Sequence, residues 1–303
     1  MSSLDGKVIV TVAPTGGFLT RDQHPFVPTQ PAEIAADVAR CAGAGAGMAA
    51  LHARRQDDRA TCDAGIYRDI NARVREVSDV VINNSTGGGA DGDMVCRNDD
   101  GSSVVDWSAR VAGVDGGADT CTLDAITANV RAAQGEVLLN TPQSRGAELL
   151  GMMRSRGVKP EWEAFSPAHL TGEIPQLIAE AGEQGPHLIN LVLGLDSAFQ
   201  NAMPYSPRTL QFMVDVAPPD SILSVSISGP QQLRGLAHAL VLGAHVRVGI
   251  EDYPYLEAGV PAENVRLVEH VVELVEAVGL EPATPAETRE ILGLPPAKET
   301  DNA

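Results

Sequence analysis

The feature that most constrains this chain is the alternation of short apolar runs with longer amphipathic ones. Val8–Pro14, "VIVTVAP", reads as a strand, and Pro31–Gly45 follows with an opening proline and helical apolar spacing. "MAALH", the helix Ala64–Ser78 and "DVVINNSTGGG" repeat the unit. "DTCTLD", "GEVLLN", "KPEWEAFS", "HLINLVLG", "SILSVSIS" and "HVRVGIED" supply further strands or strand-like segments, most of them separated by helical patterns. The helix "PAENVRLVEHVVELVEAVG" and a terminal helix "TPAETREILGL", capped by Thr284, close the series. About eight strands at a spacing of roughly 30–40 residues match the βα period of a parallel sheet. No Pro/Ser/Gly-rich linker divides the chain, so residues 1–303 are expected to form a single domain with short flexible termini. That count suits a (β/α)8 TIM barrel. An open Rossmann-like sheet is the alternative, but "PTGG" after the first strand is too short for the dinucleotide fingerprint.

Charge narrows the partners. A formal net charge of −18 argues against nucleic acid and anionic membrane, both of which need a basic face. The four cysteines, Cys41, Cys62, Cys96 and Cys121, share no metal-binding or disulfide spacing and read as reduced thiols. With no leader-like start and no apolar run of about 18 residues, the expectation is a cytoplasmic protein.

In a barrel of this type the reactive groups sit at the C-terminal strand ends. Those ends carry Thr15-Gly16-Gly17, His52, Asn84 to Gly88, Thr122 to Asp124, Glu163, and Arg247 to Asp252. One imidazole, several carboxylates, an arginine, hydroxyls and a glycine loop make a credible site for a carboxylated substrate and a divalent metal. Ser85 and Thr86 hydroxyls with the Gly87 and Gly88 amides form a candidate anion nest. A tight turn is the other reading of those glycines. Arg247 is costly to bury without purpose, although a structural ion pair would account for it. Arg54 and Arg55, just past the second strand, are candidates for coenzyme A phosphates or a solvated pair.

"VTVAPTGG", "INNSTGGG", "CTLD", "KPEWEAF", "VLG", "GAHVRVGIED" and "ATPAETREIL" follow one another along the chain, which in this order resembles the β-keto acid cleavage enzymes. The resemblance implies a zinc-dependent (β/α)8 barrel, a homo-oligomer (a tetramer), that exchanges acyl groups between a 3-keto acid and acetyl-CoA and releases acetoacetate. By motif it makes His52 and Glu251 metal ligands, Asp252 the catalytic base, and Arg247 the group that polarises the keto acid. Ser85, Gly88 and Thr122 correspond to positions around the substrate carboxylate.

The chain departs from that pattern in places that matter. The family's His-x-His is Ala50-Leu51-His52 here, and a period of two puts both positions on one face of the strand, so a ligand is missing. Two protein ligands then remain where catalytic zinc takes three and a water. Tyr253 replaces an asparagine, Gly229-Pro230 replaces a Gly-Arg, and Phe18 stands where amine-binding members carry an acid. An apolar or bulkier substrate is expected rather than an amino-substituted one. A metal-weak or metal-free lyase or hydrolase on the same barrel, and a catalytically dead binding relative, stay open as alternatives.

Overall fold

The computed structural model describes residues 4–132, 135–257 and 259–297. The flexible ends expected of the chain fall partly outside that range. Eight parallel strands close into a barrel: β1 Val10–Val12, β2 Met48–Leu51, β3 Val81–Asn84, β4 Thr120–Leu123, β5 Lys159–Ala164, β6 His187–Leu193, β7 Ser221–Ile227 and β8 His245–Val248. Each pairs with the next in sequence, and β8 closes on β1 in the register Val246↔Val10, Arg247↔Thr11, Val248↔Val12. The (β/α)8 expectation holds.

These strands are buried on both faces, which is why they read as near-continuous apolar runs; all seven residues of β6 and all four of β2 are buried. The outer layer comprises α1 Pro31–Gly43, α2 Ala64–Val77, α3 Trp107–Ala112, α4 Gln143–Ser155, α5 Ile174–Ala181, α6 Pro207–Asp215, α7 Gln232–Val241 and α8 Asn264–Ala277. The terminal helix α9, Pro285–Ile291, starts as its sequence demands. Glu287 N–H donates to Thr284 Oγ1, and Thr284 N–H donates back to Glu287 Oε2. Ala283 and Leu292, at either end of this helix, pack with Ile9, Met48, Val81 and Leu188 and seal the N-terminal end of the barrel.

One of the expected strands lies outside the barrel. "GEVLLN", Gly135–Asn140, is a strand but not a barrel strand: it belongs to a separate four-stranded sheet with Thr127–Ala132, Ser103–Val105 and Val95–Arg97. The physical difference is visible in its burial. Val137 and Leu139 point inward while Glu136 and Asn140 do not, the alternation of a sheet with one wet face. Val105, Val130 and Leu139 from this sheet line the cavity at the barrel's C-terminal mouth.

Candidate active site

The turn after β8 carries the densest charge. It is set by close backbone approach: a Cβ at Gly249 would lie 2.1 Å from Ala13 O, so only glycine fits. Asn264 then anchors the turn, accepting from Ile250 N–H at 2.8 Å and donating to Pro14 O at 3.0 Å and to Asp37 at 2.6 Å. On this support the Arg247 guanidinium forks onto Asp252, Nε to Oδ2 at 3.1 Å and Nη2 to Oδ1 at 3.0 Å, while Nη2 also meets Glu251 Oε1 at 2.6 Å. Its Nη1 stands 3.6 Å from Glu163 Oε1, beyond hydrogen-bond reach, and so keeps donors for a ligand.

Two carboxylates cannot both draw full stabilisation from one guanidinium. Burial works to raise Glu251, but Arg247 and His52 overcome it and bring that carboxyl to about 2. At Asp252 burial wins over Arg247, the charge of Glu251 reinforces it, and the carboxyl is lifted to about 6. Glu163 goes further up, driven by burial and then by the charge of Asp124. Asp124 itself is held by the buried Arg110, 3.2 Å away.

His52 ends β2 facing this cluster. Its Nδ1 lies 3.1 Å from Gly88 O and its Nε2 3.3 Å from Glu251 Oε1, so the ring bridges the glycine loop and the carboxylate. Gly88 reaches that position at φ +60°, and a Cβ there would lie 2.6 Å from Met94 and 2.7 Å from Cys62.

The "STGGG" loop is ordered by its own hydrogen bonds. Gly87 and Gly88 N–H groups donate to Ser85 Oγ at 3.1 and 3.3 Å. Thr86 N–H donates to Thr122 Oγ1 at 2.8 Å, and Thr86 Oγ1 donates to Thr122 O at 2.7 Å. The amides expected to form an anion nest are therefore engaged already. What the loop offers is two hydroxyls: Ser85 and Thr122 line the cavity and each accepts from backbone, which leaves its own proton free to donate. Gly87 lines the cavity too, whereas Thr86 is fully buried and serves as the staple to β4.

Arg54 is spent on backbone carbonyls. Its three nitrogens donate to Gly16 O, Asp58 O and Leu19 O at 3.0, 2.9 and 3.0 Å, and the side chain is buried. Arg55 turns to Asp57 at 2.9 Å.

Sequence reasoning underweighted the carboxylates of β5. Glu161 and Glu163 alternate with Trp162, so both point into the barrel while the indole packs outside. That i, i+2 pair of acids within an otherwise apolar strand was the available signal. Glu161 accepts from Asn83 at 2.8 Å, and burial lifts it to about 7.

As donors for zinc the cluster offers His52 Nε2 and Glu251, whose Oε2 is buried without a partner. Ala50 lines the same cavity and contributes nothing, and among the described residues no group of three or more His, Cys, Asp or Glu side chains is disposed to hold a metal. The residues present fall one donor short of a catalytic zinc site.

Comparison with known proteins agrees with this geometry. Residues 7–294 match the family model described as beta-keto acid cleavage enzyme. The 3-keto-5-aminohexanoate cleavage enzyme of Acetoanaerobium sticklandii is 32% identical over 290 residues, covering 95% of this chain and 98% of that protein. The 3-dehydrocarnitine:acetyl-CoA trimethylamine transferase of Rhizobium meliloti is 33% identical over 303 residues, covering 96% and 98%. Among solved structures, ObcA in binary complex with oxaloacetate superposes with a TM-score of 0.67 at 20% identity, over 89% of this chain and 68% of that one, a likeness of fold. With nearly its whole length matched and its charged groups gathered at the barrel's mouth, the chain belongs to the beta-keto acid cleavage enzyme family.

Proposed function

We propose that this protein exchanges acyl groups between a 3-keto acid and acetyl-CoA, giving acetoacetate and a new acyl-CoA. The observation that carries the reading is Arg247: a buried guanidinium that lines the cavity and forks onto Asp252, with Nη1 3.6 Å from Glu163 and so still able to donate to a ligand. Ser85 and Thr122 hydroxyls hold the substrate carboxylate, and Arg247 Nη1 donates to the 3-keto oxygen, where charge builds up as an enolate forms. Asp252, as carboxylate, takes the C2 proton. The C2 carbanion attacks the acetyl carbonyl and expels coenzyme A thiolate. That thiolate adds to C3, and the C2–C3 bond breaks. The electrons of that bond return to C2, which Asp252 reprotonates, so acyl-CoA and acetoacetate leave and the base is regenerated.

None of these steps passes through zinc, because His52 and Glu251 supply two donors where three are wanted. Assembly as a homo-oligomer, a tetramer by the family resemblance, one domain over the whole chain, and a cytoplasmic setting belong to the same proposal. The absence of any described helix long and apolar enough to cross a membrane is compatible with it. The test is direct: purified protein, acetyl-CoA and a panel of 3-keto acids, with acetoacetate and acyl-CoA followed by mass spectrometry. Acetoacetate from none of them would refute the reaction; loss of the keto acid without consumption of acetyl-CoA, with no acetoacetate formed, would move the reading to a lyase or hydrolase.

A further inference from the structure

The cavity has two poles. Arg247, Glu251, Asp252 and His52 form the polar floor, and the rest of the lining includes an apolar wall in which three rings touch. Phe165 and Phe199 are stacked with centroids 5.3 Å apart and 12° between planes, and Phe18 meets Phe199 edge-on at 6.4 Å. Val105, Val130, Leu139, Val192 and Leu195 complete the wall.

The wall is braced. Phe199 bridges to Val130 as an isolated antiparallel pair, and the loop around it is stitched to the strand Thr127–Ala132 by Arg131 N–H on Ala198 O at 2.8 Å and Gln200 N–H on Asn129 O at 2.9 Å. Phe165 is held from behind, its N–H donating to His169 Nδ1 at 3.0 Å. A surface fixed in this way is ready before a ligand arrives.

No charged group serves a ligand at this pole. Of the carboxylates lining the cavity outside the Arg247 cluster, Asp124 is spent on Arg110 and Glu163 is driven toward its neutral form by burial. The cavity-lining arginine and histidine, Arg247 and His52, are both at the floor. A charged tail placed against the rings would lose its water and find no partner. A quaternary ammonium would need several open ring faces around it, but Phe165 and Phe199 each cover one face of the other.

Building on the reaction proposed above, we propose that the substrate is a 3-keto acid whose tail beyond the keto carbon is uncharged and apolar, seated on Phe18, Phe165 and Phe199. The relatives named for 3-keto-5-aminohexanoate and 3-dehydrocarnitine have substrates with cationic tails in those names; this chain presents rings, with Phe18 half exposed at the rim.

Calorimetry without acetyl-CoA tests the seat independently of turnover. The ligands are 5-methyl-3-oxohexanoate, 5-amino-3-oxohexanoate, 3-dehydrocarnitine and 3-oxoadipate. The branched acid should bind at least about tenfold more tightly than each charged one. Phe18→Asp, at an exposed rim position, should narrow the gap to the amino acid by a similar factor. Equal or tighter binding of any charged acid, or no binding of the branched one, overturns the proposal. Preference for the branched acid with no acetoacetate on adding acetyl-CoA would leave the seat standing and refute the reaction.

Discussion

Glu161→Gln should stabilise this protein, and more so the more alkaline the solution. Glu161 sits inside the barrel below the active site, 3% exposed, with one hydrogen bond from Asn83. Burial raises its carboxyl from 4.5 to about 7 in the folded chain. A carboxyl whose folded value is raised binds its proton more tightly when folded. Its favourable contribution is therefore complete below the unfolded value of 4.5, and it is lost as pH climbs through about 7. Every tenfold gain in proton affinity on folding is worth about 1.4 kcal/mol. Between pH 5 and pH 8 wild type should then lose roughly 2–3 kcal/mol that the neutral amide does not lose. For a domain of this size that is a difference of several degrees in Tm. Thermal melts of both proteins at pH 5, 6, 7 and 8 would show the two curves diverging with pH. Parallel curves would refute the reasoning, because they would mean that Glu161 either titrates as it does in water or is paired by a charge in the folded state.

Other expectations follow from the same geometry. Asp252→Asn should remove catalysed exchange of the C2 protons of a 3-keto acid into D2O, a loss on the order of 10²–10⁴ above the spontaneous rate, read by NMR with the circular dichroism unchanged; exchange at the wild-type rate would take Asp252 out of the base role. Arg110→Met breaks a buried pair with Asp124 and deprives Thr86 O of its donor, so it should cost roughly 3–5 kcal/mol in denaturant unfolding. A cost within about 0.5 kcal/mol would mean Asp124 is satisfied elsewhere. Ala50→His should raise zinc affinity by at least about tenfold, measured by competition with a chromogenic chelator; no gain would mean that an imidazole at Ala50 does not converge with His52 and Glu251.

The barrel was legible because its strands are buried on both faces and therefore announce themselves as apolar runs, while the helices between them keep a longer period. The sheet over the mouth was less legible for the converse reason. Val95–Arg97 and Ser103–Val105 are three residues each, too short for alternation to register, and only two of the six residues of Thr127–Ala132 are buried. At the site, the residues brought together as expected are His52, Ser85, Thr122, Arg247, Glu251 and Asp252, all around one cavity. What could not be read was how each polar group spends its hydrogen bonds. Arg54 and Arg247 are both buried arginines at strand ends, yet one satisfies backbone carbonyls and the other gathers carboxylates. Nothing local in sequence separates them, because the partners of Arg54 include Gly16 O, 38 residues away. Thr86 presents the same problem, since the staple that turns it from the cavity lies on β4, 36 residues on.

The charge at the floor gives Ala50 its significance. Arg247 faces the carboxylates Glu251 and Asp252, Glu163 is driven toward its neutral form by burial, and Asp124 is cancelled by Arg110. With Asp252 ionised for its role as base, the cluster is left with one uncompensated negative charge before any substrate arrives. A keto acid brings another. Arg247 Nη1 and the two hydroxyls can orient that second carboxylate but add no net positive charge. Binding therefore calls for a cation, and the place where one would be most favourable lies between His52 Nε2 and the orphaned Glu251 Oε2. An imidazolium at His52 meets the demand with one charge; a divalent ion meets it with two, but finds only two protein donors. The choice between these depends on the side chain at position 50, where alanine lines the cavity and supplies no donor to balance the anionic charge.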